Sequence, residues 1–130
     1  MKNIFKWCVA LAVIATLTGC VRTAPIDQIN STVSAGHTEA QVRTAILKAG
    51  QQRQWIMSQA GPGVINGRLQ SRDHVAEIRI TYTASSYSIN YSSSLNLLAS
   101  GSKIHKSYNR WVRNLDKDIQ LNLSAAAAGL

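Results

Sequence analysis

Carboxylates are scarce in this sequence of 130 residues, and those present do not suit a catalytic pair. There are six: Asp27, Glu39, Asp73, Glu77, Asp116 and Asp118. Hydrolysis of a glycosidic bond needs two carboxyl groups about 5 to 9.5 Å apart. Asp73 and Glu77 would lie about 13 Å apart along an extended strand, and Asp116 and Asp118 would project from different sides of a helix. The sequence therefore predicts surface charge and no catalytic residue.

Metal-binding and nucleophilic motifs are also missing. The three histidines, His37, His74 and His105, are isolated, and none belongs to a His-x-x-x-His pair. The chain has no Gly-x-Ser-x-Gly elbow and no glycine-rich phosphate loop. We therefore expect no metal, no cofactor and no enzymatic activity.

The apolar run near the N-terminus is too short to span a membrane. It extends from Trp7 to Thr18 without a charge, after Lys2 and Lys6. A spanning helix needs about 20 apolar residues, whereas a positive start followed by a shorter apolar run is typical of a signal peptide. Residues 1–19 are therefore predicted to be a signal peptide that is removed.

The run ends at Leu17-Thr18-Gly19-Cys20, which resembles the lipobox of bacterial prolipoproteins. This resemblance implies cleavage between Gly19 and Cys20 and transfer of a diacylglyceryl group, which carries acyl chains such as palmitate, to the Cys20 sulfur as a thioether, because a thiolate is the nucleophile that such a transfer needs. Several acyl chains on one residue suffice for stable anchoring. The only other cysteine, Cys8, lies in the predicted signal peptide, so the mature chain cannot form an internal disulfide.

The mature chain is basic. Removing Lys2 and Lys6 from 14 basic and 6 acidic residues leaves 12 against 6, a net charge of +6. Besides the membrane reached through the lipid, the expected partners are an anionic envelope component or an acidic protein. Nucleic acid is a poor candidate outside the cytoplasm. Solubility alone also explains such a charge.

Periodicity predicts one α+β domain over residues 37–123, after a lipidated flexible tether over residues 20–36. Thr38 and Gln41 form a capping-box pattern, which starts a helix that ends near Ala49 at Gly50. Apolar residues alternating with polar ones then predict four strands: Trp55 to Gln59, Val64 to Gln70, Val75 to Thr83 and Tyr87 to Tyr91.

The last element is predicted to be an amphipathic helix capped by Ser102, with a frayed small-residue tail over residues 124–130. Its apolar stripe consists of Ile104, Tyr108, Trp111, Val112, Leu115 and Ile119. The element order is α-β-β-β-β-α, which predicts a four-stranded antiparallel meander with both helices packed on one face.

A line of positive charge follows the other side of the last helix. Lys106, Arg110, Arg113 and Lys117 recur at i, i+4, i+7 and i+11. Such a line can pair with phosphates or acidic side chains, and we name it the basic stripe. The solvated outer face of an amphipathic helix gives the same pattern.

Four segments carry a further resemblance: Arg72 to Ile78, Tyr87 to Tyr91, Ser94 to Leu97, and Ile104 to Leu115. They resemble a group of small proteobacterial lipoproteins of uncharacterised function, over about residues 38–121. The resemblance implies a lipoprotein with this type of domain, and it implies no particular activity.

These patterns together predict a lipid-anchored cell-envelope protein, a non-enzymatic binding or accessory module that faces the periplasm. The alternative is an inhibitor of an envelope-targeting hydrolase, although a basic domain is a poor match for a basic lysozyme. Val21 follows the lipidated cysteine, where the enteric sorting rule uses aspartate to retain lipoproteins in the inner membrane. We therefore expect residence in the outer membrane.

Overall fold

A computed structural model describes residues 22–129 of the chain. They form seven strands and two helices, numbered here in chain order. The elements are β1 (Thr23–Pro25), β2 (Ile29–Thr32), α1 (Glu39–Gln52), β3 (Ile56–Gly61), β4 (Val64–Ser71), β5 (His74–Tyr82), β6 (Ser86–Leu95), β7 (Lys103–His105) and α2 (Lys106–Ala127).

The α+β architecture is confirmed, but the four-stranded meander is incomplete. The main sheet has five antiparallel strands in the order β2-β6-β5-β4-β3, and β1 pairs with β7 in a separate two-stranded sheet. The four predicted strands are β3 to β6. The fifth, β2, pairs Ile29 with Ile89 and Ser31 with Tyr87.

The flexible tether predicted over residues 20–36 is wrong for much of its length. Besides β2, the segment contains β1, which pairs Thr23 with His105. Val33 is only 4% exposed and belongs to the core. These short strands are stabilised by partners far along the chain, so local periodicity does not reveal them.

The capping box of the first helix is confirmed. Thr38 accepts a hydrogen bond from the backbone N–H of Gln41, whose side chain accepts from the Thr38 backbone. The predicted stop at Gly50 is wrong, because α1 continues to Gln52 and Gln54 adopts the left-handed conformation at φ 66°. Gly50 instead provides room for the Met57 side chain.

The second helix begins later and ends later than predicted. Its N-cap is His105, whose Nδ1 accepts from the Ser107 N–H at 3.1 Å, and Ser102 precedes strand β7. The helix has 22 residues and continues through three alanines of the predicted tail. Alanine has the highest helix propensity, so this extension follows from the composition.

Both helices pack on one face of the main sheet, as predicted. The buried core joins sheet residues such as Ile78, Ile80 and Ile89 to Ile46 of α1 and Leu115 of α2. The structure thus has two layers, and the opposite face of the sheet is uncovered within residues 22–129. No helix in that range is both long and apolar enough to cross a membrane.

Candidate functional site: a basic face on the last helix

All four residues of the basic stripe are exposed on α2. Lys106, Arg110, Arg113 and Lys117 alternate with the buried residues that dock the helix onto the sheet. This arrangement follows from the 3.6-residue period, which separates a buried side from a solvated side. Cations on the solvated side can bind anions without disturbing the core.

The four cations are not equivalent, because Arg113 is already paired. Its guanidinium forms an ion pair with the Asp27 carboxylate, and the Asp27 side chain is only 25% exposed. Within residues 22–129, Lys106, Arg110 and Lys117 form no ion pair. Those three are therefore the members of the stripe that are free to contact an external anion.

Two further cations lie at the N-terminal end of α2. The backbone N–H of Lys106 donates to the Arg22 carbonyl oxygen at 3.1 Å, and Lys103 pairs with Pro25 across the β1–β7 ladder. Both Arg22 and Lys103 are exposed. We define the basic patch as Arg22, Lys103, Lys106 and Arg110. Arg22 and Lys103 could not be identified from the sequence, because only long-range strand pairing brings them to this helix end.

The helix end strengthens the positive potential of the basic patch. The first turn of α2 contains no acidic residue, and its N-cap is His105. A helix N-terminus carries a partial positive charge of roughly half an elementary charge. Lys106 thus adds a cation where an anion would be more stable, and the patch concentrates positive charge at one end of the domain.

A buried amide holds the chain in place beside the patch. Asn109 is 3% exposed, and its Nδ2 donates to the Pro25 carbonyl oxygen at 2.9 Å. Its Oδ1 accepts from the Asp27 backbone N–H at 3.0 Å. Burial makes these hydrogen bonds costly to break, so the segment that carries Arg22 has a fixed position on α2.

Most of the carboxylates take part in contacts within the domain. Asp118 pairs with Arg53 at 2.7 Å, and Glu77 accepts from Ser93 Oγ at 2.6 Å. Asp116 accepts from the Tyr87 hydroxyl and, at 3.0 Å, from Ser31 Oγ. Burial and the Asp116 contact raise the pKa of Tyr87 above its usual value. The Asp116 contacts join β2, β6 and α2, and the other two likewise join separate elements, so these carboxylates have structural roles.

The histidines make contacts within the domain. Both ring nitrogens of His37 lie within hydrogen-bond distance of carbonyl oxygens, those of Ser34 at 2.8 Å and Leu123 at 2.9 Å. His74 stacks on His105 with ring centroids 6.4 Å apart. Within residues 22–129, no three His, Cys, Asp or Glu side chains lie close enough together to hold a metal ion.

Trp111 is not the central core residue that its stripe position predicts. It is half-buried at the edge of the helix–sheet interface, where a hollow of about 90 Å³ lies between Arg53, Trp55, Leu69, Trp111 and Asn114. Of the two tryptophans within residues 22–129, Trp55 is the buried one, at 4% exposure.

The two predicted residues of the processing site, Gly19 and Cys20, lie outside the described residues.

A second exposed feature is the outer strand β3. It lies at the end of the main sheet, contains neither charge nor proline from Ile56 to Gly61, and exposes 68% of Ile56. Sheet edges are commonly protected by charged residues or proline. β3 lacks both, so its edge is open to pairing with another strand.

No known family model matches the chain, and no curated protein matches it in sequence.

Proposed function

We propose that this chain is a lipid-anchored protein of the cell envelope, and that its domain is a non-enzymatic binding or accessory module facing the periplasm. The observation that carries the proposal is the N-terminal pattern: two lysines, an uncharged apolar run and the sequence Leu17-Thr18-Gly19-Cys20. Each part matches a step of export or lipidation. The intramolecular roles of most carboxylates favour a binding module over a hydrolase.

The anchor is tested by replacing the modified cysteine. Cys20→Ser removes the acceptor thiol, so we expect it to abolish labelling by a fatty-acid analogue in cells. The matched control is Cys8→Ser, which changes the only other cysteine and should retain the label. Equal labelling of wild type and Cys20→Ser, or loss of label only in Cys8→Ser, would rule out lipidation at Cys20.

The proposed location is the outer membrane, since Val21 replaces the aspartate that signals retention. Density-gradient fractionation should place the wild type with outer-membrane markers. Val21→Asp is the informative variant, because it should move the protein to the inner-membrane fraction while preserving the acyl label. A wild type that fractionates with inner-membrane markers would contradict this location.

The exposed edge of β3 favours a module that binds another protein. A free strand edge can accept a strand from a partner, with backbone hydrogen bonds across the new pair. Inhibition of an envelope-targeting hydrolase is one such role, and we keep it as the second candidate. The uncharged edge and the exposed Ile56 support a protein partner in both cases.

Site-specific photocrosslinking in intact cells distinguishes these roles. A photoreactive side chain at position 56 should give a discrete adduct, and one at Leu121, which is 58% exposed on α2, should not. An adduct with a hydrolase favours the inhibitor, and an adduct with a resident envelope protein favours the accessory module. Equal adducts from both positions, or none from position 56, would exclude binding at this edge.

A further inference from the structure

The place where the segment after Cys20 enters the folded domain determines which surface lies next to the proposed lipid. Cys20 precedes Arg22 by two residues, and two residues of chain reach at most about 7 Å. Arg22 is fixed at the start of α2 by the hydrogen bond from Lys106, and β1 follows it directly. A lipid on Cys20 would therefore enter the bilayer beside the basic patch, with no long tether between them.

The charges at this end suit a phospholipid surface. Arg22, Lys103, Lys106 and Arg110 are all exposed and form no ion pair within residues 22–129. Asp27, the acidic residue at the neighbouring turn, is neutralised by Arg113. Exposed lysines and arginines held near an anionic leaflet are attracted to its phosphates within about a Debye length.

We infer that the basic patch lies on the anionic phospholipid headgroups of the same leaflet that holds the lipid, and that the two contacts together fix how the domain stands on the membrane. This inference rests on the proposed lipid anchor. A lipid anchor alone leaves rotation of a domain unrestricted. The contact of the basic patch with the headgroups is a second attachment that restricts this rotation. It also identifies the anionic partner of this helix end as the membrane itself.

If only the basic patch contacts the headgroups, the domain stands end-on and the rest of the helix lies away from the surface. α2 has 22 residues, so it is about 33 Å long. Lys117 follows Lys106 by eleven residues, a distance of roughly 16 Å along the helix axis. That distance exceeds the Debye length of about 8 Å at physiological ionic strength, so an end-on domain should leave Lys117 in solution.

The test uses the lysines of the mature chain as reporters. They are Lys48, Lys103, Lys106 and Lys117. Full-length lipidated protein is reconstituted into vesicles containing phosphatidylglycerol or into vesicles of phosphatidylcholine alone, and is acylated with a membrane-impermeant reagent. We expect Lys103 and Lys106 to react roughly threefold or more slowly in the anionic vesicles at about 0.1 M salt, and to recover near 1 M salt, where screening is nearly complete.

Lys48 on α1 and Lys117 on α2 should react equally in both vesicles. Protection of Lys117 equal to that of Lys106 would overturn the end-on arrangement, because the whole helix would then lie flat. Equal reactivity of Lys103 and Lys106 in both vesicles, in protein that floats with the lipid, would overturn the membrane contact and leave the anchor intact. Protein that neither floats nor takes up the fatty-acid label would overturn the anchor, and with it this inference.

A pair of charge-matched variants separates location from net charge. Lys106→Glu with Arg110→Glu should remove the protection of Lys103, whereas Lys48→Glu with Arg79→Glu makes the same change in charge elsewhere and should preserve it. Lys106 and Arg110 are exposed, and circular dichroism verifies that both variants fold. Protection of Lys103 that survives the first variant, or is lost equally in both, would overturn the role of the basic patch.

Discussion

Asn109, buried on α2, donates a hydrogen bond from its side-chain amide to the carbonyl oxygen of Pro25, 84 residues earlier in the chain. The contact attaches β1 to the last helix. The same amide accepts from the Asp27 N–H, so one side chain satisfies a donor and an acceptor of an otherwise irregular segment.

Replacing Asn109 should therefore loosen the N-terminal segment. Asn109→Leu leaves the Pro25 carbonyl and the Asp27 N–H without their partner, although Pro25 is exposed and Asp27 is half-buried, so water can replace part of the lost hydrogen bonding. We expect a loss of about 1 to 3 kcal/mol in urea denaturation and faster amide hydrogen exchange at Ile26 and Asp27. The control, Asn66→Leu on the exposed side of β4, should change neither quantity appreciably. An unchanged exchange rate at Asp27 in Asn109→Leu would show that the β1–β7 ladder holds the segment alone.

Lys106→Glu should stabilise the fold. The residue opens α2, where the helix dipole favours an anion by about 0.3 to 1 kcal/mol and disfavours a cation. Thermal or urea denaturation should show a gain of about that size, largest at low salt. Arg110→Glu lies one turn further along, where the dipole effect has declined, and should gain less. A lower stability for Lys106→Glu than for wild type would mean that Lys106 has a stabilising contact that offsets the dipole.

The two tryptophans at the edge of the core should differ in their contributions. Trp55 is 4% exposed, and truncation of a buried tryptophan costs about 3 to 5 kcal/mol. Trp111 is half-buried beside a hollow, so we expect Trp111→Ala to cost only about 1 to 2 kcal/mol. Chemical denaturation of the two variants side by side measures the difference. Equal losses would place Trp111 in the core in solution, as its position in the apolar stripe predicted.

His37 should make stability depend on pH. Its ring contacts the carbonyl oxygens of Ser34 and Leu123, and these backbone hydrogen bonds raise the pKa of His37 above 6.5. Protonated His37 therefore stabilises the folded state. This stabilisation is fully present below pH 6.5, and it is lost as the pH rises through the higher pKa of the folded state. NMR titration of the ring should give a pKa above 6.5, and His37→Gln should remove this component of the pH dependence. A folded-state pKa at or below 6.5 would contradict the two-carbonyl geometry.

The long strands and both helices were predictable because their signals are local. β4, β5 and β6 have eight to ten residues each, long enough for alternation to appear, and the first helix carries its own capping box. β1 and β2 have three and four residues. Their stability comes from β7 and β6, which no local pattern can show. The pairing of β7 with β1 also moved the N-cap of α2 from the predicted Ser102 to His105, because Lys103 to His105 is extended as a strand.

The part of the candidate site that depends on a local pattern was also predictable, and the part that depends on long-range pairing was not. The basic stripe follows from helical periodicity, so its four members could be identified and all are exposed. Arg22 and Lys103 could not, since they reach the helix end through the β1–β7 pairing. The ion pair between Arg113 and Asp27 was hidden for the same reason. Trp111 belongs to the apolar stripe but is only half-buried. Helical periodicity shows which side of a helix faces the sheet, and it does not show where the sheet ends.

The pairing of β1 with β7 also sets an order of events during biosynthesis. Thr23 is among the first residues of the domain to be synthesised, and its partner His105 follows 82 residues later. At roughly 5 to 20 residues per second, β1 remains without its partner for several seconds while the chain is made. Contacts between such distant residues close late. Until then the segment lacks its partner strand, and once β7 arrives it is fixed beside the start of the last helix.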